Sequence, residues 1–149
     1  MEQDGPAPED DPFALTRFVM AQDEGGTYAR AVLELRQGRK RTHWMWFVFP
    51  QIHGLGHSAI ARRFALTSLA EARAYLEHPV LGPRLLECTG IVAQTRGPTA
   101  EEVFGPVDAM KLRSSMTLFL HAAPEEPLFL SVLERHFAGV LDAATEELL

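Results

Sequence analysis

A chain of 149 residues with 46% apolar and 23% charged residues has the length and composition of one folded domain, not of a fibrous or disordered protein. Its formal net charge of −6 offers no field for a nucleic-acid polymer or an acidic membrane, and no apolar run approaches the roughly eighteen residues of a membrane helix. The single cysteine, Cys88, excludes an intramolecular disulfide and gives no support to a zinc site, and no secretory signal is visible, so a soluble cytoplasmic protein is expected.

Residues 1–10, acidic and proline-containing, read as a disordered leader, and 11–149 as a single helical domain. Asp11-Pro12 is a good helix start, with Phe13, Leu15, Phe18 and Val19 forming a short helix that ends near Gln22. Gly25-Gly26 breaks it. Thr27 can cap a second helix, in which Tyr28, Ala31, Val32 and Leu35 recur at helical spacing until Gly38. His43 to Phe49 is too short for periodicity to separate helix from strand; with helical neighbours it reads as a buried helical turn ended by Pro50. Ser58 can cap a helix through Leu66, and Ser68 with Glu71 forms a capping box for the next. Pro79 opens a helix to about Gln94, and Gly97-Pro98 is a loop. Thr99 with Glu102 is a second capping box, for one turn ending at Phe104-Gly105. Asp108 caps a helix carrying Met110, Leu112, Met116 and Phe119. After Pro124, Leu128 to Phe137 line a last long helix, and Asp142 caps a short terminal turn. The fold expected is all-α, a compact domain of seven to nine mostly short helices.

The chemistry-bearing residues concentrate in GRKRTHWMWFVFPQIHGLGHS, Gly38 to Ser58, which holds both tryptophans and three of the six histidines. Lys40 and Arg41 beside Trp44 and Trp46 combine cations with stacking rings, a pairing that suits a nucleotide or another small phosphorylated ligand. The same residues also read as a solvated turn next to core tryptophans. Gly54-Leu55-Gly56-His57-Ser58-Ala59 satisfies the dinucleotide pattern G-x-G-x-x-A, but no βαβ pattern surrounds it. A tight turn is the simpler account, although amides at Gly54, Gly56 and Ser58 could hold a phosphate. His43, His53 and His57 lack metal-ligand spacing, so no metal and no cofactor is expected. His43 is a candidate acid or base, or equally an imidazole at the core edge.

A second polar concentration runs from Asp108 to Met116. Lys111 and Ser115 share a helical face, conceivable as a nucleophilic pair, and Asp108 lies three residues before Lys111. A capped helix with a surface ion pair accounts for the same pattern. Gln51, Gln94 and Asp108 are further ligand-orienting candidates. The leading expectation is a site where the 43–58 stretch meets the 108–115 helix, with His43, Asp108 and Lys111 as catalytic candidates. Lys40, Arg41, Trp44, Trp46, Gln51, Gly54, Gly56, Ser58, Ser114 and Ser115 are the expected ligand contacts. Whether the ligand, of nucleotide or ADP-ribose type, is bound or hydrolysed stays open. The rival is a non-enzymatic protein-interaction or self-association domain, as monomer or homodimer.

The strings His43-Trp44-Met45-Trp46-Phe47-Val48-Phe49-Pro50-Gln51 and Met110-Lys111-Leu112…Ser114-Ser115-Met116-Thr117-Leu118-Phe119 resemble the family called domain of unknown function 1810 (DUF1810). Gly54-Leu55-Gly56, His78-Pro79 and Phe104-Gly105…Asp108 add to the resemblance, which covers about Asp11 to Thr145. It implies a compact all-α domain and no established activity. A second resemblance, to the NADAR family of helical ADP-ribose-linked N-glycosidases, rests on helix order, Ala21-Gln22 and Phe104-Gly105-Pro106-Val107-Asp108. That one implies a ligand with phosphates and a base to stack.

Overall fold

Asp11 organises the first ordered turn. Its carboxylate accepts hydrogen bonds from the Leu15 N–H at 2.7 Å and from the Thr16 N–H and hydroxyl at 3.1 and 2.8 Å. The first helix therefore starts later than Pro12, after a turn in which Ala14 takes φ 54°. The computed structural model describes residues 10–149, so the expected leader lies outside the described residues except for Asp10.

The elements in chain order are α1 (Thr16–Asp23), a 3-10 turn (Glu24–Gly26), α2 (Thr27–Arg36), α3 (Met45–Val48), α4 (Ala59–Arg63) and α5 (Leu69–Glu77). They continue as α6 (Leu81–Gln94), α7 (Ala100–Phe104), α8 (Pro106–Ala122), α9 (Pro127–Phe137) and α10 (Ala143–Leu148). The all-α expectation holds, and the aromatic block is the buried helical turn that its neighbours implied. Several boundaries move for local reasons. Thr27 does not cap α2; left-handed Gly26 precedes the helix and the Thr27 hydroxyl donates back to Glu24 O. Helix α4 stops at Arg63, because Leu66 forms a parallel bridge with Ile52 through Leu66 N–H to Gln51 O and His53 N–H to Leu66 O. Pro79 lies ahead of α6, whose first amides are satisfied by His78 Nδ1, at 3.1 Å from Val80 N and 3.2 Å from Leu81 N.

The caps vary in completeness. Thr99 and Glu102 form the full reciprocal box. Ser68 accepts from Glu71 N–H, but the Glu71 carboxylate turns to the N–H and hydroxyl of Thr67 and to Arg17. Asp142 accepts from Thr145 N–H and starts α10. Asp108 is not an N-cap; it lies in the first turn of α8, which Gly105 and Pro106 begin.

Helix α8 is the centre of the packing, touching α5, α7, α9 and α10. It buries Leu112, Met116, Leu118 and Phe119 among residues as small as Ala109, Ser114 and Ser115, which let neighbours approach on several sides. Phe18, Trp44, Phe49, Tyr75 and Phe129 complete one continuous core. Each such side chain contributes about 1.5–3 kcal/mol on burial. Cys88 is sealed in the same core, where burial pushes its thiol up to about 12.

The α5–α6 corner is the tightest approach. A Cβ on Gly82 would lie 2.0 Å from the Leu76 carbonyl oxygen. Backbone on both sides cannot step aside cheaply, so Gly82→Ala is expected to cost roughly 1–3 kcal/mol, as overpacking does. A lower midpoint in denaturant with an unchanged slope checks this.

Candidate functional site

The arrangement begins at the end of α2. Gly38, at φ 75°, reverses the chain, and Lys40 N–H donates to Val103 O at 2.7 Å. The next residues are gathered by Glu34, which is only 4% exposed. Its Oε1 accepts from Arg41 N–H at 2.9 Å, Thr42 N–H at 3.1 Å and the Trp44 indole N–H at 2.8 Å. Its Oε2 accepts from the Thr42 hydroxyl at 2.7 Å. Burial would raise the Glu34 carboxyl, but these donors outweigh it and lower the pKa from 4.5 to about 2.

With the loop held this way, Lys40 points inward. Its Nζ lies 2.9 Å from Asp108 Oδ2 and 5.0 Å from the Trp44 ring centroid. Lys111, one turn along α8, lies 3.6 Å from Asp108 Oδ1 and 4.8 Å from the Trp46 ring centroid. One carboxylate thus stands between two ammonium groups, each over a tryptophan. The three charges leave a surplus of one positive unit.

Beside Lys111 a groove of about 300 Å³ opens between the 51–56 turn and the outer face of α8. Gln51, Gly56, Lys111 and Ser114 line it, together with Val107, Met110 and Asp142. Two distant stretches of chain meet here. Asp142 was readable only as a helix cap, and it does cap; its carboxylate also lies 3.7 Å from Arg113. Nothing in local sequence pattern brings it to this groove.

Several of the other candidates are placed away from the groove. The Trp44 ring is fully buried against Phe49 and Phe104, at 6.2 and 6.3 Å between centroids, with its N–H taken by Glu34. It has no free face on which to stack a ligand, which corrects that expectation; only Trp46 is partly exposed. Lys40 is engaged by Asp108 with its side chain 7% exposed, so it steadies the array and does not reach solvent. Ser115 is wholly buried with no hydrogen-bond partner, and no bond joins it to Lys111, so it is not presented as a nucleophile. Ser114 donates to Met110 O at 3.1 Å. His43 and Arg41 are exposed and do not line the groove. The Ser58 hydroxyl accepts from Ala61 N–H and caps α4, while Gly54 lies beside Leu148. Gly56 packs so closely that a Cβ would meet Ala61 Cβ at 2.6 Å. Among the described residues no group of three or more His, Cys, Asp or Glu side chains is placed to hold a metal ion.

Residues 12–149 match the model of a family described as "Protein of unknown function (DUF1810)". The crystal structure of the conserved hypothetical protein Rv1873 from Mycobacterium tuberculosis is similar at a TM-score of 0.90 and 54% sequence identity. The similarity covers 93% of this chain and 98% of that one. No curated protein matches the chain.

Glu34 gives the site an acid limit. A carboxyl at about 2 when folded and 4.5 when free contributes about 3 kcal/mol, fully present above pH 4.5 and lost as pH falls towards 2. Glu34→Gln keeps one acceptor but loses the charge. The stability gap between native protein and Glu34→Gln should therefore narrow as urea melts are taken from pH 6 down to pH 3. A gap that does not change with pH would count against this role.

Proposed function

The chain belongs to the DUF1810 family, which brings no activity with it, and from the geometry we propose a binding domain for a small phosphorylated molecule in the Gln51–Lys111 groove. The observation that carries the reading is the convergence of Gln51, Gly56, Lys111 and Ser114 on one concave surface beside an array with excess positive charge. An anionic group would approach Lys111, which holds Asp108 only at 3.6 Å because Lys40 has the closer contact. Gln51 would orient the polar part, and Val107 with Met110 would cover the apolar part. At about 300 Å³ the groove is at the lower end for small-molecule sites, so a monophosphate of a sugar or single nucleoside fits better than a full ADP-ribose.

Binding is favoured over hydrolysis. The one carboxylate lining the groove, on Asp142, is already committed to the Thr145 N–H and hydroxyl at 2.9 and 2.6 Å. His43, the sequence candidate for acid–base work, is not among the lining residues.

The test is a thermal-shift titration with inorganic phosphate, ribose 5-phosphate, AMP and ADP-ribose, followed by calorimetry on any compound that responds. A ligand at 100 times its dissociation constant adds about 2.7 kcal/mol, a shift of several degrees. Lys111→Gln should weaken binding by roughly ten- to a hundredfold, the worth of a charged hydrogen bond. Undiminished affinity in that variant would remove the groove as the site.

A second reading has one observation in its favour. Val107 and Met110, one turn apart on α8, are 67% and 62% exposed. If they dock a second copy, light scattering should show a concentration-dependent dimer that Met110→Asp dissociates; a monomer at every concentration would exclude self-association through this face.

A further inference from the structure

The cations of this acidic chain are not spread evenly. Arg36 ends α2, Arg96 follows α6, and Arg135 and His136 occupy the last turn of α9; folding brings all four around the Gly97-Pro98 loop. Two clefts open there, of about 490 Å³ along Arg36, Gln94 and Arg96, and about 340 Å³ along Arg135 and His136. Thr95 and Pro98 line both, so the pair forms one trough. No Asp or Glu lines either cleft, on a chain whose net charge is −6.

Part of this cation density serves the fold. The Arg135 Nε–H donates to Thr95 O at 2.7 Å and His136 Nε2 donates to Val92 O at 2.9 Å, satisfying carbonyls at the end of α6. Arg36 lies 3.6 Å from Glu87, a pair exposed to solvent on both sides. The C-termini of α2 and α6 add about half a negative charge each, which three guanidinium groups exceed. The last-turn carbonyls of α2 are also occupied, by the N–H groups of Gln37, Gly38 and Arg39. Arg96 has no hydrogen-bond or ion-pair partner among the described residues. The cap on Thr95 uses one edge of Arg135 and leaves its terminal nitrogens for a ligand.

We propose that this trough binds a small polyanion, a molecule with two or more phosphate or carboxylate groups, straddling Pro98. One anionic group sits between Arg36 and Arg96, and another against Arg135. Guanidinium forks match both oxyanions in paired hydrogen bonds, which is why arginine and not lysine suits the place. Gln94 supplies an amide for the intervening part of the ligand. The trough is separate from the Lys111 groove, and neither proposal depends on the other.

The experiment is calorimetric titration of the whole protein with inorganic triphosphate and, in parallel, with citrate, at low and at physiological ionic strength. Saturable binding that weakens with salt is expected. Arg96→Glu, on an exposed loop, should weaken it by about tenfold or more, and Arg135→Gln likewise. Tighter binding of triphosphate assigns phosphate chemistry to the trough, and tighter binding of citrate assigns carboxylate chemistry. Absence of saturable binding by both probes at low salt overturns the proposal, as does equal affinity in Arg96→Glu.

Discussion

The carboxylate of Glu34 is the interaction on which the rest of this architecture depends. A charged group at that depth would be costly if left alone, and its four donors come from just three residues, Arg41, Thr42 and Trp44. One side chain thereby specifies the path of a loop that has no secondary structure of its own. That path sends Lys40 inward to Asp108 and so ties the end of α2 to the start of α8. It also decides the rotation of α3. Trp44 opens α3 in a non-helical conformation with its indole N–H drawn in to Glu34, and Trp46, inside the helix, is left partly exposed.

The other end of α3 is secured by a different group. A four-residue helix leaves its last carbonyls without internal partners. Phe47 O accepts from Gln22 Nε2 at 2.7 Å and from the Tyr75 hydroxyl at 3.2 Å, and Arg84 closes the network by donating to Gln22 Oε1 while pairing with Asp23. Buried polar networks of this kind restrict the core to one arrangement only if every member is satisfied, and these members are. The aromatic block is thus clamped from both sides by polar groups, with Phe64 packed on Phe47 at 5.3 Å between centroids.

Helices and many of their ends were legible because their signals are local. Thr99 with Glu102, Ser58 and Asp142 each announce a helix start within four residues, and each does so in the structure. Some boundaries moved for local reasons, as at Thr27 and Asp108, and other expectations were decided at a distance. Glu71 leaves the Ser68 cap half made because Thr67 and Arg17 compete for its carboxylate. Trp44 and Trp46 look equivalent in sequence, and only the remote Glu34 tells them apart. The meeting of the 51–56 turn with α8 was within reach of reasoning, since both stretches stand out for residue type. Asp142 was not, because its capping role hides its second position beside the groove. The arginines around Pro98 sit at separate helix ends, where each has an ordinary local explanation.

Cys88 carries a different consequence. The chain has one thiol, wholly enclosed and held protonated far above neutral pH. A thiolate-seeking reagent cannot reach it in the native state by either access or ionisation. Labelling must wait for the core to open, so the rate of alkylation becomes a clock for the opening of the α6 region, read without adding any probe to the protein.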